Sequence, residues 1–455
     1  MSGPSWAAPP LPLELLPDTA VVGSDGRLSV GGVDLLGLTR ELGTAVFVYD
    51  EQHLRNRCRE AVAAFGDGVA YASKAFFCLA MARLAHDEGM CIDVSTGGEL
   101  HVALRAGVPA SRLVLHGNNK SERELTQALA AGVGRIMVDS CDEIDRLDRL
   151  VPTGAGPRPK VLLRVTPGVE AHTHIYVQTG QDDSKFGFGI ASGAAAAAVA
   201  RLRRPGSPVE LVGIHAHIGS QIFELSSFER ATGVLAGFFN PLGLEELCVG
   251  GGLGVAYVTG EKAPSITEWA AAVHDAVAAA GIAPAVRVTA EPGRAIVAAA
   301  GITCYTVGTI KEIPGIRTYV SVDGGMSDNP RPVLYGSGYE AFLPRATAAP
   351  RPFRARIVGR HCESGDLIVP EAYLPADVAV GDILATPVTG AYGHSMASNY
   401  NKVGRPPVVF VRDGVARTVV RRETYDDLLA LDADDGGGPD TSGDTAPDTG
   451  VDSGL

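Results

Sequence analysis

Val69-Ala70-Tyr71-Ala72-Ser73-Lys74-Ala75-Phe76 begins as an unbroken apolar run and then turns abruptly polar at a serine and a lysine. A short apolar run without polar alternation suits a strand buried on both faces, the pattern of parallel sheets covered by helices. Similar runs follow at Cys91–Val94, Leu113–Leu115, Arg135–Val138, Val161–Val165, Leu211–Ala216, Leu247–Val249 and Val286–Ala290. Helical signals lie between them. Ser121–Leu129, for example, places serine at an N-cap and apolar residues at helical spacing. Eight such units predict an α/β fold, a (β/α)8 TIM-like barrel with an insertion after Val165.

Beyond about residue 300 the pattern changes. Ile302–Val307, Arg317–Val322, Arg354–Val358, Ile383–Thr386 and Val408–Arg412 are separated by Gly, Pro and Asp, with few long helical stretches. This predicts a C-terminal, mostly antiparallel β domain. Arg27–Val33 and Ala45–Val48 precede the barrel and are expected to join it. The expected organisation is a flexible N-terminus (1–22), strands joining the β domain (23–50), the barrel (51–298), the β domain (299–430) and a disordered acidic tail (431–455). The tail is rich in Asp, Gly, Thr and Pro, too polar to offset the entropy of ordering.

The 455 residues are 45% hydrophobic and 20% charged, enough for a sizeable core. A net charge of -13 argues against nucleic acid as a partner. The seven cysteines include no CxxC pair, which points to reduced thiols in the cytoplasm. The proline-broken start, Met1–Pro17, has no basic residue and does not read as a signal peptide. The Ala-rich run Trp269–Ile282 is interrupted by His274 and Asp275 and is too short for a bilayer.

In a barrel the C-terminal strand ends meet at one mouth, where active sites form. Lys74, His116-Gly117-Asn118, His217-Ile218-Gly219-Ser220, Gly250-Gly251-Gly252 and Glu291-Pro292-Gly293-Arg294 all fall at such ends. Lysine is scarce: seven of 39 basic residues. At the end of an apolar strand, desolvation lowers a lysine's pKa and yields a nucleophilic amine, although the position alone favours a solvated lysine. The glycines can wrap backbone N–H groups around a phosphate, or simply make a tight turn. Glu291 can keep a pyridine nitrogen protonated and Arg294 can bind an anion; the alternative is a plain Glu291–Arg294 ion pair. His172/His174 and His215/His217 have the i, i+2 spacing of a metal pair, which makes a metal-dependent barrel hydrolase the rival enzyme reading. The alternative for His215 is a core-facing histidine. Cys362, beside Glu363 and Asp366, suits a proton donor or an inert thiol. Tyr392, in a glycine-rich loop, can reach a phosphate oxygen or be an ordinary turn residue.

Taken in order, the segments 71–76, 217–221, 250–252, 291–294, 362–366 and 390–401 closely resemble the fold-type III, alanine-racemase-like decarboxylases that use pyridoxal 5'-phosphate. Within that group they look most like the diaminopimelate decarboxylase family, over roughly residues 25–425. The resemblance implies that Lys74 carries the cofactor as a Schiff base and that His217 stacks on its ring. It implies that Ser220, Gly250, Gly251, Gly252, Glu291, Pro292, Gly293, Arg294 and Tyr392 hold the phosphate and the ring nitrogen. Arg294, Arg331, Tyr335, Glu363 and Tyr392 would bind substrate. Cys362 would donate a proton from the partner subunit of a homodimer. The implied reaction is decarboxylation of meso-2,6-diaminopimelate at its D centre to L-lysine, the last step of lysine biosynthesis, with no metal and no membrane partner. A related decarboxylase of another diamino acid and a non-catalytic paralogue are the alternatives. Two positions depart from the family pattern: Ile175-Tyr176 and Pro330.

Overall fold

The computed structural model describes residues 8–152, 154, 156–169 and 183–433. Its centre is a barrel of eight parallel strands: Ala70–Ala72, Cys91–Val94, Leu113–Leu115, Arg135–Val138, Lys160–Thr166, Glu210–His215, Glu246–Cys248 and Arg287–Thr289. The ring closes where Ala70 N–H donates to the Ala290 carbonyl (2.9 Å) and Ala72 N–H to that of Pro292 (3.2 Å). Helices cover the strands, and their caps follow the local chemistry. Ser121 heads the helix Glu122–Ala131 through a capping box with Glu124.

Alternation along the strands divides the barrel interior into levels. Ala70, Cys91, Val114, Met137, Leu162, Val212 and Cys248 form one apolar cluster. Two residues further along, Ala72, Asp93, His116 and Arg164 line a cavity instead. In the sixth strand a register shift between Leu211 and Gly213 breaks the alternation, and His215 and His217 reach the same cavity.

At the barrel mouth a charge is buried. Lys120 is 1% exposed, and its ammonium donates to the carbonyls of Gly117 (2.6 Å) and Met137 (2.7 Å) and pairs with Glu143 (2.9 Å). Burial pulls the lysine pKa down and pushes that of Glu143 up, so each ion depends on the other. Lys120→Met strands the Glu143 carboxylate and is expected to cost about 3–5 kcal/mol of stability in denaturant unfolding. An unchanged midpoint would show that the pair holds nothing.

The second sheet has the order Leu367–Leu374, Phe353–Val358, Arg317–Val322, Gly301–Ile313, Val46–Asp50, Val408–Arg412, Val415–Val420, with Ile383–Pro387 also pairing with Gly301–Ile313. Its pairings are mostly antiparallel, as expected. Val46–Asp50 enters the middle of this sheet, antiparallel to Gly301–Ile313 and parallel to Val408–Arg412.

The earlier N-terminal strands do not join it, which corrects the reading of 23–50. Val21–Val22, Leu28–Val30 and Val33–Asp34 form a separate three-stranded sheet. Gly31 and Gly32, both at positive φ, turn the chain back so that these strands satisfy one another locally. A side chain at Gly31 would meet the Val411 carbonyl at 2.6 Å, so the turn sits directly on the β domain. The expectation of a loose start over 1–22 is likewise corrected from residue 8 onward: Leu11, Leu15 and Leu16 are buried in the core. Residues 1–7, the His172/His174 pair, Ile175-Tyr176 and the tail from 434 lie outside the described residues. Pro330 caps the short helix Arg331–Tyr335. Among the described residues no helix is long and apolar enough to cross a membrane.

Candidate active site

The barrel mouth opens into a cavity of about 920 Å³. It brings together Lys74, His217, Ser220, Gly251, Gly252, Glu291, Pro292, Gly293, Arg294, Arg331, Tyr335 and Tyr392, residues from four strand ends and from the β domain. Lys74 stands in a 3-10 turn directly after the first barrel strand. Its side chain is exposed to the cavity, which matches the solvated strand-end lysine and not a desolvated one.

Glu291 ends the eighth strand, and its two carboxylate oxygens are held by His116 Nε2 (2.8 Å) and His215 Nε2 (3.0 Å). Burial alone would raise this carboxyl, but the two histidines outweigh it and hold it well below the usual carboxylate range. Glu291 is therefore an anion at neutral pH. Nearby Asp93 behaves oppositely: burial pushes its pKa up to about 6, against the pull of His116 at 3.8 Å. The simple Glu291–Arg294 ion pair does not form; each has other partners.

His217 accepts from Gly251 N–H at 3.1 Å. Burial, reinforced by the charges of Lys74 and Arg164, holds its imidazole well below its usual pKa, so the ring is neutral. His215 turns to Glu291 while His217 turns to Gly251, so this i, i+2 pair does not converge on one point. His116, His215 and Glu291 do bring ligand atoms within 4.8 Å of one another, but these atoms are engaged in the hydrogen bonds just described.

The glycine turn is obligatory. Gly250 and Gly252 have φ of +69° and +113°. A Cβ on Gly251 would lie 2.3 Å from the Glu291 carbonyl, and one on Gly252 2.3 Å from that of Gly219. Gly250 itself does not line the cavity; a Cβ there would meet the Ala216 carbonyl at 2.4 Å, so it shapes the turn. Gly293 packs against Ala72, whose Cβ would lie 2.9 Å from an added one. Arg294 donates to Tyr257 Oη (2.6 Å) and Ser220 Oγ (3.0 Å), lies 4.8 Å from the Tyr392 ring, and keeps a buried Nε with no hydrogen-bond partner. Tyr392 is at positive φ, and its N–H donates to the Ala75 carbonyl at 2.8 Å, which ties it to the lysine turn.

Besides Gly250, two expected residues are not in this cavity. Cys362 and Glu363 are exposed and absent from its lining. Their loop is fastened elsewhere in the β domain: Cys362 N–H donates to Asn401 (3.2 Å) and His361 N–H to Asp366 (2.8 Å).

Sequence reading left out Asp93, Arg164, Tyr257 and Tyr339. A charge inside Cys91-Ile92-Asp93-Val94 or Leu162-Leu163-Arg164-Val165 is a signal that could have found the first two. The tyrosines carry no comparable signal.

These features fit pyridoxal phosphate. The cavity is large enough for a cofactor with an amino acid. The turn at 250–252 leaves no room for side chains, Arg294 keeps an unanswered N–H, and the Lys74 amine shares the space with the anionic Glu291.

Comparison with known proteins agrees. Residues 51–298 match the family model described as the pyridoxal binding domain of pyridoxal-dependent decarboxylases. The diaminopimelate decarboxylase of Mycobacterium tuberculosis is 49% identical over 427 residues, covering 90% of this chain and 95% of that protein. That of Bacillus subtilis is 44% identical over 424 residues, covering 90% and 95%. The crystal structure of diaminopimelate decarboxylase from M. jannaschii in complex with L-lysine superposes with a TM-score of 0.83 at 32% identity, covering 91% of this chain and 98% of the other. With fold, cavity and sequence in agreement, the chain belongs to the diaminopimelate decarboxylase family of pyridoxal-phosphate-dependent decarboxylases.

Proposed function

We propose that this protein decarboxylates meso-2,6-diaminopimelate at its D centre, releasing CO2 and L-lysine. The observation that carries the reading is the meeting, in one cavity, of the Lys74 amine, the Glu291 anion and the two arginines Arg294 and Arg331. Lys74 would hold pyridoxal phosphate covalently. Glu291 would hold the ring nitrogen, the neutral His217 would lie against the ring, and Ser220, the glycine turn, Arg294 and Tyr392 would take the phosphate. When bound, the cofactor supplies an electron sink for the charge left on Cα as CO2 departs.

The chain's own groups do the rest. Lys74 would supply the amine that holds the cofactor between turnovers. Glu291, kept ionised by two histidines, favours a positive charge on the ring nitrogen. Arg331, Tyr335 and Arg294 grip the L end of the substrate, so binding energy from the non-reacting end orients the D centre. Cys362 then delivers a proton to Cα from the partner subunit of a homodimer, and the partner's Glu363 meets the distal ammonium. The exposure of Cys362 and Glu363 on their own subunit supports this shared arrangement. We place the enzyme in the cytoplasm, a reading supported by its seven unpaired thiols.

The test is CO2 release from meso-diaminopimelate with and without added pyridoxal phosphate. Stoichiometric CO2 and L-lysine, lost on cofactor removal and restored by adding it back, are expected. No release, or release indifferent to the cofactor, contradicts the reading.

A further inference from the structure

Two buried cations face the cavity without a carboxylate to answer them. Arg294 and Arg331 are 8% and 5% exposed, and among the described residues neither is ion-paired with Asp or Glu. Tyrosines take the place of acids. Arg294 Nη1 donates to Tyr257 Oη and Arg331 Nη1 to Tyr339 Oη, each at 2.6 Å. The Arg331 guanidinium carbon lies 4.4 Å from the centroid of the Tyr257 ring. One side chain therefore serves both cations, the first through its hydroxyl and the second through its π face.

The choice of tyrosine matters. A carboxylate would orient each guanidinium but cancel its charge. A neutral hydroxyl orients it and leaves the charge available to a ligand. Two desolvated, uncompensated guanidiniums favour an anionic ligand and disfavour one that brings only a cation.

Tyr257 is also firmly placed. It follows the glycine turn, and its N–H donates to Glu261 at 2.7 Å. Thr259 binds Glu340 through N–H (3.0 Å) and Oγ1 (2.6 Å), which ties this barrel loop to the segment carrying Arg331 and Tyr339. The Tyr257 and Tyr339 rings meet edge to face at 5.3 Å.

We propose that Tyr257 is a positioning residue that sets specificity for the second carboxylate of the substrate, by holding Arg294 and Arg331 oriented yet charged. The inference rests on the proposed decarboxylation, and it predicts that an amino acid ending in a bare ammonium is refused because of this tyrosine.

The test compares wild-type, Tyr257→Phe and Tyr257→Leu holoenzymes on meso-diaminopimelate and on D-lysine, which lacks the second carboxylate, with calorimetric binding of L-lysine alongside. Failure of the wild type to turn over diaminopimelate would sink the proposed reaction itself, whatever the variants do. Given wild-type turnover, Tyr257→Phe is expected to raise KM for diaminopimelate about tenfold, with kcat changed less than about threefold and L-lysine binding weakened in parallel. Tyr257→Leu, which also removes the platform under Arg331, should do more and narrow the gap between the two substrates. In an Arg331→Met background its effect should shrink, because the two act together. Unchanged KM and L-lysine binding in both variants overturn the proposal. So do equal losses on both substrates, or effects that simply multiply with Arg331→Met.

Discussion

Replacing Lys74 by alanine is expected to remove the absorbance band near the edge of the visible that marks a covalently held cofactor, and to lower turnover by more than about a thousandfold. The reason is positional. Lys74 is the residue that the first barrel strand delivers to the cavity, and the Ala72 N–H···Pro292 bond that closes the barrel stands beside it. Its amine shares the cavity with Glu291, Gly251 and Gly252. Lys120 cannot take over, since its ammonium is buried against Glu143 and two carbonyls. Lys185 also lines the cavity, and its ammonium lies 5.0 Å from the Phe186 ring. It comes from a different segment and should not restore the band. The fold should survive the change, because the side chain is exposed and carries no core packing. A variant that keeps both band and turnover would move the chemistry to another amine.

The second large effect is expected at Cys362. Cys362→Ala should leave the cofactor band intact and slow turnover about 10²–10⁴-fold, the usual contribution of a positioned proton donor. Because Cys362 is exposed and absent from its own subunit's cavity, its loss should be felt in the partner's site. Mixing Lys74→Ala with Cys362→Ala subunits, unfolded and reassembled together, should then restore about a quarter of wild-type activity, since half the dimers pair one of each and hold one intact site. No recovery on mixing would place both residues in the same subunit's site. Unchanged turnover in Cys362→Ala alone would remove the thiol from the mechanism.

Much of this was legible in the chain. The strands Cys91–Val94, Leu113–Leu115 and Arg135–Val138 run between the residues at which their apolar runs begin and end, because strands buried on both faces read as nearly continuous apolar runs. Ser121 announced its helix through capping chemistry that acts within one turn. The site followed from topology, since a barrel gathers its strand ends whatever their separation in sequence.

What stayed hidden was of two kinds. Asp93 and Arg164 lie inside apolar runs and join the site only because alternation points them inward one level above the core. Tyr257, Tyr339 and the pairing of both Glu291 oxygens with histidines depend on loop geometry and on contacts between distant segments, which no local pattern encodes. The strand Leu28–Val30 has the composition of a β-domain strand, yet Gly31 and Gly32 let it pair locally instead.

The most direct test is to reduce the purified holoenzyme with borohydride, digest it and locate the cofactor's added mass by peptide sequencing. The account predicts the mass on the peptide containing Lys74 and on no other. The mass on a different lysine, or on none after full reduction, would contradict it.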